Sequence, residues 1–303
     1  MTICTAAQTA ARLPYAALAL EIAHLLQDPT VQVPPRLVQA LPGGGSLFVM
    51  PALDRHIAIT KLITFTPANA GTARATIQGD VVVFDIATGQ RLVVLDGPTV
   101  TARRTAAVSL LAAQMLAPNT RGPLLIVGAG AQGRAHLDAF VQGLNVGEVQ
   151  IASRSAASAE ALALYARSLG VTAQVVADAD AALAHCPLVV TCTTAHAVVL
   201  RAMPRVDAFL AAVGAFTPAM VELAPALCRH IATQGRVIVD SRDADCEAGD
   251  LLQAGLDPAQ FSALSEILDM DQSPQRGPVL FKSCGWAGWD LAAARVVAGP
   301  QIT

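Results

Sequence analysis

The segment Leu124-Leu-Ile-Val-Gly128-Ala-Gly130-Ala131-Gln132-Gly133-Arg-Ala-His-Leu-Asp-Ala-Phe140 constrains this chain more than any other. Four consecutive apolar residues read as a buried parallel strand, the glycines as a tight turn, and Ala135, Leu137 and Phe140 as one buried face of a following helix. Strand, glycine turn and helix in that order make a dinucleotide-binding unit. Gly128 serves the tight turn, Gly130 the close approach of backbone to pyrophosphate, and Gly133 the packing of helix on strand. The phosphates then lie over the N–H groups that open the helix, from Ala131 and Gln132 onward. The next strand, Glu148-Val-Gln-Ile-Ala-Ser153-Arg154-Ser155, ends where an NAD-type site places an acid on the ribose hydroxyls. Ser153 and Arg154 stand there instead. A guanidinium suits a dianionic 2′-phosphate, so NADPH is the expected cofactor, with NADH a weaker possibility.

From 124 to about 240 strands and helices alternate. The expected strands are Leu124–Val127, Val149–Ala152, Ala173–Val176, Leu188–Thr191, Ala208–Val213 and Val237–Val239, which predicts a doubly wound parallel sheet. The first 110 residues have another character. Residues 2–28 read as mixed turn and helix, with Leu18, Ile22 and Leu25 on one face. Strands are expected at Arg36–Leu41, Leu47–Pro51, Ile57–Phe65, Ala75–Asp85 and Arg91–Leu95, with turns at Gly43–Ser46, Thr88-Gly89 and Asp96-Gly97, then a helix over Thr101–Leu116. The fold class is α/β: a Rossmann doubly wound parallel sheet (111–280) plus a β-rich substrate-binding and dimerisation domain (1–110 with 281–303).

Composition narrows the function. A chain of 303 residues, 53% hydrophobic and 14% charged, can bury a large core. No apolar run reaches 18 residues, so no membrane partner is expected. A net charge of −3 without a basic block argues against nucleic acid. The six cysteines are scattered with no C-x-x-C pair, as in a reduced cytoplasmic protein, and neither they nor the six histidines show metal-ligand spacing. His136 reads as structural. Of the 20 basic residues 18 are arginine, and the two lysines, Lys61 and Lys282, become candidates for work that arginine cannot do, since only lysine can exchange a proton near neutrality, although Lys282 reads first as a charge near the start of the terminal helix.

The β-rich part must hold an acceptor. Arg36 lies in an extended segment. Lys61 sits on the apolar strand Ile57–Phe65, where a charge is expensive. Arg103-Arg104 opens an apolar helix, and no acids accompany these cations in sequence. Such a set suits a small carboxylate, although a surface charge or a snorkelling lysine gives each residue an ordinary explanation.

Met50-Pro-Ala, Thr60-Lys61 with Asn69, Asp85 with Thr88-Gly89, Asp96-Gly97, Arg104-Thr-Ala-Ala107, Gly128-Ala-Gly-Ala-Gln132, Val239-Asp-Ser241, Glu247-Ala-Gly-Asp250 and Phe281-Lys-Ser283 with Gly285 together resemble the ornithine cyclodeaminase/μ-crystallin family along nearly the whole chain. The resemblance implies a homodimer joined through a shared barrel of the β-rich domains. It implies a substrate carboxylate bound by Arg36 and Arg104, with Lys61 next to the reacting carbon. It also places Thr105, Thr193, Val213, Gly214 and Ser283 at the cofactor. Cyclodeaminases of the family carry an acid after the strand, in a V-G-G-D-type stretch; here Val213-Gly-Ala-Phe216 puts a phenyl ring in its place. A phenyl ring cannot pair with an amine substrate. The expected function is NADPH-dependent reduction of the cyclic imine carboxylates Δ1-pyrroline-2-carboxylate and Δ1-piperideine-2-carboxylate, with Lys61 catalytic and also helping to hold the carboxylate, and Phe216 lining the substrate ring. Alanine-dehydrogenase-like activity, cyclodeamination, or a non-catalytic cofactor-bound protein are the alternatives.

Overall fold

The computed structural model describes residues 2–69, 72, 74–194, 196–268 and 277–299. The chain divides into two compact units, 1–104 with 286–303, and 105–285. The first division falls inside a helix, six residues before the expected 110; the second falls after Gly285 rather than 280.

In the first unit β1 (Thr2–Ile3), β2 (Leu37–Leu41), β3 (Gly45–Leu53), β4 (Ile57–Phe65), β5 (Ile77–Asp85) and β6 (Arg91–Asp96) form a sheet in the order β1-β6-β5-β4-β3-β2. It is antiparallel except for the β1–β6 pair. The expected strands are present with boundaries shifted by a few residues; β1 lies where only turn and helix were read. Alternation sets the faces: Ile57, Ile59, Lys61 and Ile63 point inward from β4, while Leu62 is exposed. Helix α1 (Ala6–Ala11) opens with a capping box between Thr5 and Gln8, and α2 (Tyr15–Leu26) buries Leu18, Ile22 and Leu25, the predicted face. Asp96-Gly97 is not a turn. The strand runs straight into α3 (Gly97–Leu116), and Asp96 caps it by accepting from Thr99 N at 2.9 Å. The helix therefore starts four residues before the expected Thr101.

The second unit holds β7 (Leu124–Val127), β8 (Glu148–Ala152), β9 (Thr172–Val175), β10 (Leu188–Thr191), β11 (His196–Leu200), β12 (Phe209–Ala212), β13 (Val221–Leu223), β14 (Arg236–Val239), β15 (Ser262–Ala263) and β16 (Val279–Lys282). Its helices are α4 (Ala131–Leu144), α5 (Ala156–Ser168), α6 (Ala179–Leu183), α7 (Pro225–Gln234), α8 (Ala244–Glu247) and α9 (Gly249–Gln253). The main sheet has the order β15-β14-β16-β12-β10-β7-β8-β9, and its neighbouring strands pair in parallel throughout the described residues. Strand order reverses between β7 and β10, the switch point outside which such sheets bind ligands. Four strands of this unit lie outside the expected set, β11, β13, β15 and β16, and of these Val279–Lys282 inserts between β12 and β14. Four buried apolar-to-basic residues carry no period that distinguishes strand from helix start. The helix α10 (Ala287–Ala298) closes the chain and returns to the first unit, packing on α2, β3 and β4. No helix among the described residues is long and apolar enough to cross a membrane.

Candidate active site

In the first unit Lys61 lies at the centre of β4, opposite Met50 of β3 and Val81 of β5, and only 1% exposed. It does not snorkel. Its Nζ stands 2.7 Å from Asp290 Oδ2, while Arg104 Nε on α3 stands 3.3 Å from Oδ1 of the same carboxylate. Asp290 is itself fully buried in the first turn of α10, where the helix dipole favours negative charge. That helix is held by Arg295, which reaches Asp54 and Asp28 at 2.6 Å each and Glu21 at 3.4 Å. Burial pulls the Lys61 ammonium down from 10.5; Asp290 pushes it back up, and Arg104 and Arg36 push it down again, to about 8. Arg36, half-buried just before β2, is thus felt electrically at Lys61. The three predicted cations share one field, and Asp290 offsets only part of it. Arg103 is separate: its Nε donates to Leu13 O at 2.7 Å and its guanidinium stacks 4.0 Å from the Tyr15 ring centre.

Asp290 is the acid that the sequence reading lacked, because it lies far along the chain from every cation it meets. The signal was present: one carboxylate in Trp289-Asp290-Leu291-Ala-Ala-Ala294, an otherwise apolar helix, demands a buried partner.

In the second unit Gly128 ends β7 at φ +118°, and its carbonyl accepts from Cys192 Sγ at 3.2 Å. A side chain at Gly133 would strike the Gly128 carbonyl oxygen, so strand and helix approach as closely as they do only with glycine here. Gly130 caps α4 with no side-chain bond and faces open space; Ala131 is exposed and Gln132 half-buried. The first N–H groups of a 14-residue helix thus open onto a pocket of about 330 Å³, lined also by Arg134, Ser158 and Tyr165. Beyond β8, Ser153 accepts from Ser155 N at 3.3 Å, Ser155 caps α5, and Arg154 is exposed. Between Val149 and Ala159 there is no acid. These features fit a dinucleotide: a cradle that any Cβ would fill, N–H groups for a pyrophosphate, and a free-standing guanidinium beside the second strand.

His136 serves structure. Its Nδ1 donates to Gln132 O at 2.8 Å, its Nε2 meets Ser109 Oγ at 3.0 Å, and burial lowers its pKa to about 4. The remaining predicted cofactor residues follow strand ends. Thr193 N donates to Glu222 Oε1 at 2.6 Å and Gly214 N to Glu222 Oε2 at 2.7 Å. Val213 N bonds Thr191 O at 2.9 Å, and Ser283 Oγ donates to Asp240 Oδ2 at 2.7 Å. Thr105 is nearly buried on α3, its carbonyl accepting from Ser109 at 3.2 Å. Phe216 is half-buried between β12 and β13, packed partly on the core of this unit. Lys282 is not a charge at a helix start. It is fully buried at the end of β16, 2.9 Å from Asp250 Oδ2; burial lowers its proton affinity, but Asp250 together with the other acidic neighbours, Glu222 among them, more than restores it, so the ammonium stays charged.

The model of the ornithine cyclodeaminase/mu-crystallin family matches residues 2–300. The chain belongs to this family. Among curated members, a Δ1-pyrroline-2-carboxylate reductase of Burkholderia multivorans is 38% identical, covering 96% of this chain and 93% of its own. A Δ1-pyrroline-2-carboxylate/Δ1-piperideine-2-carboxylate reductase of Azospirillum brasilense is 36% identical over the same shares. The fold matches that of the Thermococcus litoralis Δ1-pyrroline-2-carboxylate reductase, solved with NADH and L-proline, with a TM-score of 0.85 and 22% identity, covering 98% of this chain and 96% of that one.

Proposed function

We propose that this family member reduces small cyclic imine carboxylates, Δ1-pyrroline-2-carboxylate to proline and Δ1-piperideine-2-carboxylate to pipecolate, using NADPH. It is an oxidoreductase acting on carbon–nitrogen bonds, in keeping with its curated relatives. The observation that carries the reading is the buried set Lys61, Asp290 and Arg104 within the field of Arg36. Arg36 and Arg104 bind the substrate carboxylate, and their fork geometry fixes the plane of the ring. Lys61, protonated near neutrality and held by Asp290, manages the proton that ends on the ring nitrogen as the C=N π electrons move there. A bound nicotinamide nucleotide supplies hydride to C2. Gly128, Gly130, Ala131, Gln132 and Gly133 hold its pyrophosphate, Ser153 and Arg154 its 2′-phosphate, and Thr105, Thr193, Val213, Gly214 and Ser283 its reactive end. Phe216, standing where cyclodeaminases carry an acid, lines the aliphatic ring and takes no proton.

Steady-state assays with Δ1-pyrroline-2-carboxylate test the reading. Turnover is expected with both nucleotides and a lower KM for NADPH. Arg154→Ala should raise the KM for NADPH roughly ten- to hundredfold, the weight of a charge-assisted hydrogen bond, and leave that for NADH unchanged. Absence of turnover with either nucleotide sinks the activity; equal shifts for both sink the role of Arg154.

The protein is further proposed to be a cytoplasmic homodimer. Its cysteines are free, with Cys4, Cys186, Cys228 and Cys284 buried. On the outer face of the first sheet Leu37, Val49 and Leu62 lie side by side across β2, β3 and β4, with Leu37 57% and Leu62 46% exposed. An apolar row of that kind marks an association surface. Sedimentation velocity should return twice the chain mass; a monomer at micromolar concentration overturns it.

A further inference from the structure

A buried hydrogen-bond hub at the carboxyl edge of the parallel sheet takes no part in the chemistry above. Glu222, in the middle of β13, has no solvent exposure. Its Oε1 accepts from Thr193 N at 2.6 Å and Thr193 Oγ1 at 2.9 Å; its Oε2 accepts from Thr191 Oγ1 at 2.9 Å and Gly214 N at 2.7 Å. Behind it Asp250 Oδ1 accepts from Glu222 N at 2.6 Å and Leu223 N at 2.9 Å, while Oδ2 pairs with Lys282 at 2.9 Å. Lys282 Nζ also donates to Ala215 O at 2.5 Å. The motifs Glu247–Asp250 and Phe281–Ser283 therefore converge on one short strand.

Two carboxyl groups and one ammonium buried together are a costlier arrangement than apolar residues of the same volume. Burial raises the pKa of Glu222, opposed by Lys282 and by the donors from Thr193. What this hub achieves is geometric. Thr193 follows β10 and Gly214 follows β12, neighbouring strands beside β7 and its glycine turn. One carboxylate, with two acceptor oxygens, ties both loops to the same point.

We propose that Glu222 is a positioning residue that holds the Thr193 and Gly214 loops in the arrangement that seats the nicotinamide end of the dinucleotide, braced by the Asp250–Lys282 pair. The inference rests on the proposed nucleotide site. Glutamine has nearly the same shape but only one acceptor oxygen, so Glu222→Gln turns an amide N–H₂ toward one of the two loops and displaces it.

The test uses the full-length protein, Δ1-pyrroline-2-carboxylate with NADPH, and 2′,5′-ADP, which carries the adenosine 2′-phosphate but no nicotinamide. Glu222→Gln should lower kcat roughly ten- to hundredfold and raise the KM for NADPH, as misplacement of a reacting group does, while 2′,5′-ADP affinity stays within about twofold. Thr191→Val removes one donor at constant volume and should give a smaller loss in the same direction, which decides the matter if Glu222→Gln does not fold. Wild-type kcat and KM in the folded variants overturn the proposal. So does a loss of 2′,5′-ADP affinity equal to the loss of turnover, which would make Glu222 a residue of general stability. Failure of the activity itself would show in the unsubstituted protein as no NADPH consumption. The preference for NADPH over 2′,5′-ADP, retained or lost in Glu222→Gln, then decides the positioning role by affinity alone.

Discussion

Lys61→Met is expected to lower kcat by roughly 10²–10⁴, the contribution of a positioned general acid, with a much smaller change in KM for the imine because both arginines remain. Methionine keeps the length and apolar stem of the side chain at an inward position of β4 and deletes only the ammonium. Nucleotide affinity in the variant is the control for folding. The same residue sets a pH limb. Burial lowers Lys61 to about 8, and the protonated form is the one that can donate. Reduction should therefore hold steady below about pH 8 and fall about tenfold per unit above it, as a single deprotonation of the free enzyme dictates. A kcat for Lys61→Met within about threefold of wild type would remove the proton role.

The second large effect is expected from Asp290→Asn. Asp290 is the neighbour that raises the proton affinity of Lys61, against the downward pull of burial, Arg104 and Arg36. Without its charge the alkaline limb of the rate profile should move to lower pH. Stability should fall as well, since Lys61 and Arg104 stay buried, 1% and 6% exposed, with no carboxylate between them. Breaking one partner of a buried pair costs about 3–5 kcal/mol. The cost should be largest near about pH 6, where Lys61 must carry its charge, and smaller near about pH 9, where it can release the proton. Urea midpoints at the two pH values measure it. An unchanged rate limb together with a midpoint equal to wild type at both would show that Asp290 is not the partner that matters.

How much of this was legible beforehand depended on distance along the chain. The glycine turn was readable because strand, turn and helix are contiguous, and Gly133 meets Gly128 and Ile126 within that segment, whereas the close neighbour of Gly128, Cys192, lies far along the chain. Lys61 was readable because alternation on β4 puts an ionisable group where an apolar one belongs. Val279–Lys282 was not readable as a strand, since four residues show no period, and its place between β12 and β14 depends on partners some 40 to 70 residues earlier. Lys282 was misjudged for the same reason. Its exposure could not be known until Asp250 and the Ala215 carbonyl were seen around it.

Local pattern by itself determined the α/β class, the glycine turn between strand and helix, the missing acid beside Arg154, and the set of cations from which a carboxylate site could be built. These follow from short-range sterics and periodicity, which act between residues a few positions apart. Only the tertiary structure decided what balances those cations. Asp290 meets Lys61 across more than two hundred residues, and Glu222 gathers donors from two separate loops. A charge can be placed by sequence, but its proton affinity is set by whatever folding packs against it, and no spacing rule reports that.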